Sequence, residues 1–316
     1  MKGRFDWLFK AVRDFLDIEI SYLLHRVNAK YYIIIRSHRG AGFFSNYVWV
    51  LGHVIFARKL GYIPVVDMEH YPTLYSEDQP INGTSNAWNY YFEDVSDISL
   101  QEVYENGHYV LAKDKPLHKY AGKYCDSEYR FPSSKAVSYY ATYIERYLKV
   151  RMELQEEFDA EWSRNISSSD QVLGIHVRGT DMKNNLGHPM PADAQTYLQR
   201  VKKFLKEHPT VNKVFLATDE NDVKEIFENA FQDTPYKLFM NEAFRVWDTG
   251  AFKKTGIHEL QVENARPFHK YLLGKEVLQD AWFLHKCDYL MCGCSNITNV
   301  AILWNSNRYK EIMRVG

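Results

Sequence analysis

Gln171 to Lys183 reads QVLGIHVRGTDMK, and how this stretch is read decides the fold. Val172, Leu173, Ile175 and Val177 make a short apolar run of the kind a parallel strand shows when both its faces are covered. The run stops in a polar turn, Arg178-Gly179-Thr180-Asp181. In open parallel sheets ligands sit beyond the carboxyl ends of the strands. An Arg and an Asp delivered there, with a Gly between them that lets a ligand approach the backbone, point to an anionic substrate.

Working outward, the chain after this strand alternates. A helix is expected over Ala192 to Glu207, a strand over Lys213 to Ala217, a helix near Asp222 to Phe231 and a strand over Tyr236 to Met240. Lys275 to His285 then reads as a helix, Asp288 to Cys292 as a strand and Ile297 to Met313 as a last helix. Such a βαβαβ series with short connections implies a doubly wound parallel sheet.

The chain before it repeats the theme. Tyr31 to Arg36 reads as a buried strand running into Arg39-Gly40-Ala41-Gly42-Phe43-Phe44-Ser45-Asn46. Ser45 or Asn46 can cap a helix through Val50, Leu51, Val54 and Ile55, which Gly61 stops, and Ile63 to Asp67 is the next strand. Glu69 to Asp94, rich in Tyr, Asn, Pro and Gly and without a period, reads as a long loop that could shape an acceptor site. A short helix at Leu100 to Glu105, a strand at Tyr109 to Leu111 and one long amphipathic helix from Ser134 to Trp162 follow. The Ser and Asn cluster at Ser163 to Asp170 marks a boundary, giving an N-terminal Rossmann-like domain over residues 1–165 and a C-terminal one over 166–316.

At 316 residues, two domains suit the length better than one core, and 46% hydrophobic with 25% charged residues is the balance of a folded soluble chain. A net charge of −1 without long runs of one sign argues against a nucleic-acid footprint. Four Cys, three of them crowded at Cys287, Cys292 and Cys294, make no disulfide framework and fit a reducing, cytoplasmic setting. No apolar run is long enough to span a membrane, and Asp6, Asp14, Asp17 and Glu19 interrupt any signal-peptide core. The stripe Phe5, Leu8, Phe9, Val12, Phe15, Leu16, Leu23 and Leu24 suits packing on the protein body. It would also suit peripheral contact with the inner face of the membrane through Trp7 and Lys10.

The chemistry collects where strands end. Arg178 can fork onto two phosphate oxygens and stays charged at any working pH, so it can neutralise a departing diphosphate without a metal. Its structural alternative is an ion pair with Asp181. Ser295 and Asn296 would begin the last helix, where free N–H groups and the dipole favour an anion, although taken alone a plain N-cap explains them better. Gly42, Ser45 and Asn46 form a similar but weaker signal, since no Walker ending is present. Thr218 and Asp219 could meet a ribose or a guanine edge, or cap the next helix. Asp181 and His188 are candidates for a general base, against a structural Asp and a loop His. No Asp-x-Asp pair occurs, so this reading requires no metal and no cofactor beyond the substrate. His285, Cys287, Cys292 and Cys294 straddle a strand whose alternate residues point to opposite faces, which is a poor zinc set.

These residues resemble a known family. His176-Val177-Arg178-Gly179-Thr180-Asp181 followed by His188-Pro189 resembles the H-x-R-x-x-D motif of the fucosyltransferases that share a GDP-fucose-binding domain: the nodulation-factor and core α1,6, the α1,2 and the protein O-fucosyltransferases, here as a bacterial-type member. Leu216 to Glu220 and Lys286 to Asn296 resemble their second and third motifs, and Gly42 to Asn46 their first-domain glycine loop. The resemblance implies a GT-B-like α/β fold of two Rossmann-like domains facing a cleft, with metal-independent inverting transfer of fucose from GDP-fucose to a glycan or glycoconjugate hydroxyl. It implies that Arg178 holds the β-phosphate, that Asp181 and His176 support its loop, that Asp219 lies near the nucleoside, and that Ser295 and Asn296 bind phosphate. Gly179 stands where the core α1,6 enzymes have a second arginine, and the loop after Asp181 is shorter than theirs and has no carboxylate before His188, so their base has no counterpart. Activation of the acceptor falls to His188, to Asp181 or to positioning. The motifs read GDP more than the sugar, so a GDP-heptose or GDP-mannose type donor, or a nucleotide-sugar-binding protein without turnover, are the alternatives.

Overall fold

A computed structural model describes residues 29–36, 41–112, 131–178, 192–247 and 264–315. The N-terminal stripe from Phe5 onward and Cys125 lie outside the described residues. The chain divides into two compact units, Met1–Asp126 with Thr142–Val150, and Ser127–Ala141 with Arg151–Gly316.

In the first unit, β1 (Tyr31–Ile34) is the middle of a three-stranded sheet of order β2-β1-β3. It pairs in parallel with β2 (Ile63–Val66) and with β3 (Tyr109–Ala112). Helix α1 (Phe43–Lys59) connects β1 to β2. It is apolar almost all round, so both its faces are buried rather than one. Its N-cap is Gly42, which offers no side-chain hydrogen bond, so neither Ser45 nor Asn46 caps it; both lie inside its first turn. The missing cap has a substitute, because the Phe43 N–H donates to the Tyr75 hydroxyl at 2.8 Å. Gly61, with φ +83°, takes the left-handed conformation just past the helix end. Helix α2 (Leu100–Asn106) begins in a full capping box between Ser99 and Glu102.

The expected long helix is two, α3 (Ser134–Tyr147) and α4 (Met152–Asn165). No Gly or Pro breaks it. The break is tertiary: the Lys149 carbonyl accepts from Glu93 N–H at 2.9 Å and Val150 bridges Phe92, which draws these residues into an extended conformation. Helix α4 belongs to the second unit, so the division falls before it rather than at Ser163 to Asp170. Its polar residues explain this, since Glu157, Asp159 and Glu161 bond Lys275, Trp282, Lys286 and Gln279 of helix α7 (His269–Lys286).

The second unit has a five-stranded parallel sheet of order β6-β5-β4-β7-β8. Strand β4 (Val172–Val177) is central and wholly buried. Gly174 is required there, because a Cβ would stand 2.9 Å from Cys287 Sγ. Helix α5 (Ala194–Glu207), capped by Asp193, packs Tyr197, Leu198, Val201, Phe204 and Leu205 against the sheet. Strand β5 (Lys213–Thr218), helix α6 (Asn221–Phe231) and strand β6 (Lys237–Phe239) extend one flank. On the other flank lie β7 (Tyr289–Cys292), helix α8 (Asn296–Asn305) and β8 (Glu311–Arg314). The last helix therefore stops well short of Met313. Ser306 and Asn307 turn the chain with positive φ, and residues expected to be helical form the edge strand β8 against β7.

Candidate functional site

From β4 the chain moves to β5 and β6 on one side and arrives at β7 on the other, so the topological switch point lies between β4 and β7. That is where open α/β sheets leave a crevice for ligands. Register sets the ends level: His176 faces Ala217 on β5 and Cys292 on β7, and Val177 faces Thr218. Arg178, Asp219 and the Gly293 to Asn296 turn thus leave the same edge of one sheet, and the structure brings these sequence-predicted residues together.

Each has a defined setting. Arg178 follows β4 and is half-buried. His176, 7% exposed, is held neutral, its pKa lowered to about 3 by burial and then by the charge of Arg178. It can support the turn but cannot carry charge to a phosphate. Thr218 is buried, and its hydroxyl accepts from the Glu220 N–H at 3.3 Å. Helix α6 has Glu220 as N-cap, so Asp219 is not its cap. Ser295 caps α8 in a box with Thr298: the Ser295 N–H donates to Thr298 Oγ1 at 3.0 Å, and the Thr298 N–H donates back to Ser295 Oγ. The hydroxyl of Ser295 is thus committed to the helix, while Asn296 is half-buried at its first position.

Two residues that sequence reasoning missed stand beside this edge. Arg245 donates through Nε to the Thr218 carbonyl at 3.2 Å and through Nη2 to the Asn241 carbonyl at 2.9 Å. Val246 pairs with Asp219 and Asn221, so the 241–247 segment is pinned to the end of β5. Asp280 on α7 is 7% exposed and its Oδ1 has no hydrogen-bond partner. Burial pushes its pKa up to about 8, against Arg245 and with Glu276 and Asp219. No sequence signal links a helix Asp with a loop Arg; only the packing does.

Gly42, Ser45 and Asn46 belong to the first unit. Ser45 accepts from Arg36 Nη2 at 3.3 Å, and the Arg36 guanidinium lies 4.5 Å over the Trp49 ring, so the end of β1 carries a fixed positive charge. Asn46, 5% exposed, has an Oδ1 without a partner. It lines a pocket of about 20 Å³ with Phe43, Tyr75, Trp88 and Phe92, room for one water-sized group. At the end of β2, Asp67 accepts from the Glu69 and His70 N–H groups, from Tyr104 and from the His70 ring. The sequence reading passed over this pair, although an acid closing a strand with a His three residues on was there to be seen.

Gly179, Asp181 and His188 lie outside the described residues. Among the described residues no group of three or more His, Cys, Asp and Glu side chains is gathered as a metal site, and Cys287, Cys292 and Cys294 are free thiols. Also among them, no helix is long and apolar enough to cross a membrane.

No protein-family profile and no curated protein sequence matches the chain. Solved structures do. A structure of NodZ alpha-1,6-fucosyltransferase soaked with GDP-fucose matches with a TM-score of 0.53 at 19% identity, over 87% of this chain and 92% of that one. The fucosyltransferase NodZ from Bradyrhizobium matches with 0.50 at 18%, over 86% and 92%. POFUT1 in complex with GDP matches with 0.51 at 10%, over 91% and 99%. The likeness shows the fold: α/β and GT-B-like, with two Rossmann-like units, as in these fucosyltransferases.

Proposed function

We propose that this protein is a glycosyltransferase that moves fucose from GDP-fucose to a hydroxyl of a glycan acceptor, with inversion at the sugar and without a metal ion. The observation that carries this reading is the edge of the second sheet. Arg178 and the N-terminus of α8 leave adjacent, in-register strands at the switch point, in a fold shared with proteins solved with GDP and GDP-fucose. Both features favour an anion, one as a permanent cation with a forked donor, the other through helix N–H groups.

In this reading the second unit binds the nucleotide and the first the acceptor. Arg178 neutralises the β-phosphate as the anomeric C–O bond breaks, the role a metal fills in other diphosphate chemistry. His176, neutral and buried, holds the turn, with Asp181 supporting it. Thr218 and Asp219 meet the nucleoside, and Ser295 and Asn296 orient the helix end that receives phosphate. Gly42, Ser45 and Asn46 are the first unit's contribution to the donor, and His188 completes the candidates for proton transfer.

Calorimetric titration with GDP and with UDP, each with and without a chelator, tests the reading. GDP-selective binding that ignores the chelator is the expected result; selectivity for UDP or dependence on a divalent ion overturns it.

A further inference from the structure

The stretch that follows β6 is held more firmly than its own packing requires. Asn241 is buried, but residues 242–247 are half-buried or exposed and form no helix or strand. Yet Val246 makes a parallel bridge to Glu220: its N–H donates to the Asp219 carbonyl at 3.1 Å, and its carbonyl accepts from the Asn221 N–H at 2.9 Å. Arg245 donates through Nε to the Thr218 carbonyl at 3.2 Å, and its own carbonyl accepts from the Asn221 side chain at 3.0 Å. Helix α7 holds the same stretch through Glu276, whose carboxylate accepts from the Phe244 N–H at 3.0 Å and whose carbonyl accepts from the Asn241 side chain at 3.0 Å.

These bonds fix the backbone as far as Val246, and the next residue is Trp247, which is 50% exposed. Among the described residues its indole makes no ring contact and no hydrogen bond. A large flat side chain on a backbone already ordered by other bonds suits a flat ligand, because little freedom is left to lose on binding. Its position indicates which ligand. Val177 faces Thr218, and two residues on, Glu220 faces Val246. Arg178 and Trp247 therefore each follow a residue paired to the same short end of β5. Two residues of extended chain cover about 7 Å, and a single nucleotide spans that. With Arg178 and the N–H groups of α8 taking the phosphates, what remains of a nucleoside diphosphate is a sugar and a flat base.

We propose that the indole of Trp247 is the platform on which the base of the donor nucleotide stacks, and that the bonds from Thr218, Asp219, Asn221 and Glu276 hold the platform in place. The inference rests on the reading of this protein as a GDP-sugar enzyme, and every group it uses belongs to the second unit. Every base has a π-face, so stacking on Trp247 adds affinity for a nucleotide without choosing among bases. That choice is left to polar groups such as Asp219 that meet the edge of the base.

The test titrates the full chain and its Trp247→Ala and Trp247→Phe variants with GDP and with inorganic pyrophosphate by calorimetry. Trp247 is exposed and its stretch is held through other residues, so both variants should keep the parent's thermal midpoint. Trp247→Ala is expected to weaken GDP binding roughly five- to a hundredfold and to leave pyrophosphate, which has no base, unaffected. Trp247→Phe keeps a flat ring and should recover most of the loss. In the parent, GDP should also quench a part of the tryptophan emission that Trp247→Phe lacks. A Trp247→Ala protein that binds GDP as the parent does, or that loses GDP and pyrophosphate alike, overturns the assignment and leaves the GDP reading standing. A parent protein that does not bind GDP overturns both.

Discussion

The two sheets end in different chemistry although they are built alike. In each, a central parallel strand feeds a helix and is flanked by strands on both sides. The edge of the second unit carries Arg178 and a capped helix N-terminus, which suit phosphate, and its histidine, His176, is shut away and kept neutral by burial. The edge of the first unit also has an arginine, Arg36, but this one is laid on Trp49 and bonded to Ser45. Its histidine, His70, is open to solvent on the buried carboxylate of Asp67. One backbone plan thus offers the same position twice, and side-chain burial decides which polar groups stand open there.

Arg178→Ala breaks this comparison most severely. The charge at the end of β4 would be lost with the fold intact, because Arg178 stands beyond the buried strand rather than in it. Loss of one donor to a developing charge costs roughly a hundred- to a thousandfold in kcat. Steady-state GDP release, with circular dichroism to confirm folding, checks it, and near-normal turnover would remove the second unit's assigned role.

The next effect contrasts two buried carboxylates. Asp67 has four donors, whereas one oxygen of Asp280 has none. Burial raises the folded-state pKa of Asp280 from the ordinary 3.8 to about 8. The unfolded chain therefore gives up this proton first as pH rises. Stability is full below about pH 3.8 and declines until about pH 8, by an amount on the order of a few kcal/mol. His176 and His285, both depressed from 6.5 to about 3 by burial, act in the opposite sense and cost stability as pH falls below 6.5. Between pH 6.5 and about 8 Asp280 is thus isolated among the shifted groups of the described residues. Asp280→Asn should be the more stable protein there in denaturant unfolding, with a flatter pH dependence. A slope equal to the parent's would mean that the carboxyl is relieved by a partner in solution.

The same contrast explains what was legible in the chain. Buried parallel strands read as continuous apolar runs, so YYII, IPVV, VLGIHV, KVFLAT and YLMC were visible and the sheets followed. Edge strand β8 is half-exposed, with no such run, and the turn before it is made by Ser306 and Asn307 rather than by a glycine. The α3 to α4 break was invisible because Val150 leaves the helix to pair with Phe92, a partner far off in sequence. At the sites, Arg178 was legible because it closes an apolar run beside a glycine. Asp67 and His70 sat at the start of an aperiodic loop, and Asp280 and Arg245 meet only after folding.

The smallest expected effect separates the two helix starts. Helix α1 begins at Gly42 without a side-chain cap and is served by Tyr75, while α8 begins in a complete capping box. Ser295→Ala removes the hydroxyl that accepts from the Thr298 N–H, and such a loss costs about 1 kcal/mol of stability, read as a lowered thermal midpoint. Since Ser295 is buried and its hydroxyl already engaged, its part in phosphate binding would be to hold the first turn of α8 in place rather than to touch the ligand. Ser295→Thr, which keeps the hydroxyl, should restore the midpoint and GDP affinity together. If Ser295→Ala lowers the midpoint but leaves GDP affinity untouched, the cap is structural alone and the anion site of the second unit reduces to Arg178 and the backbone.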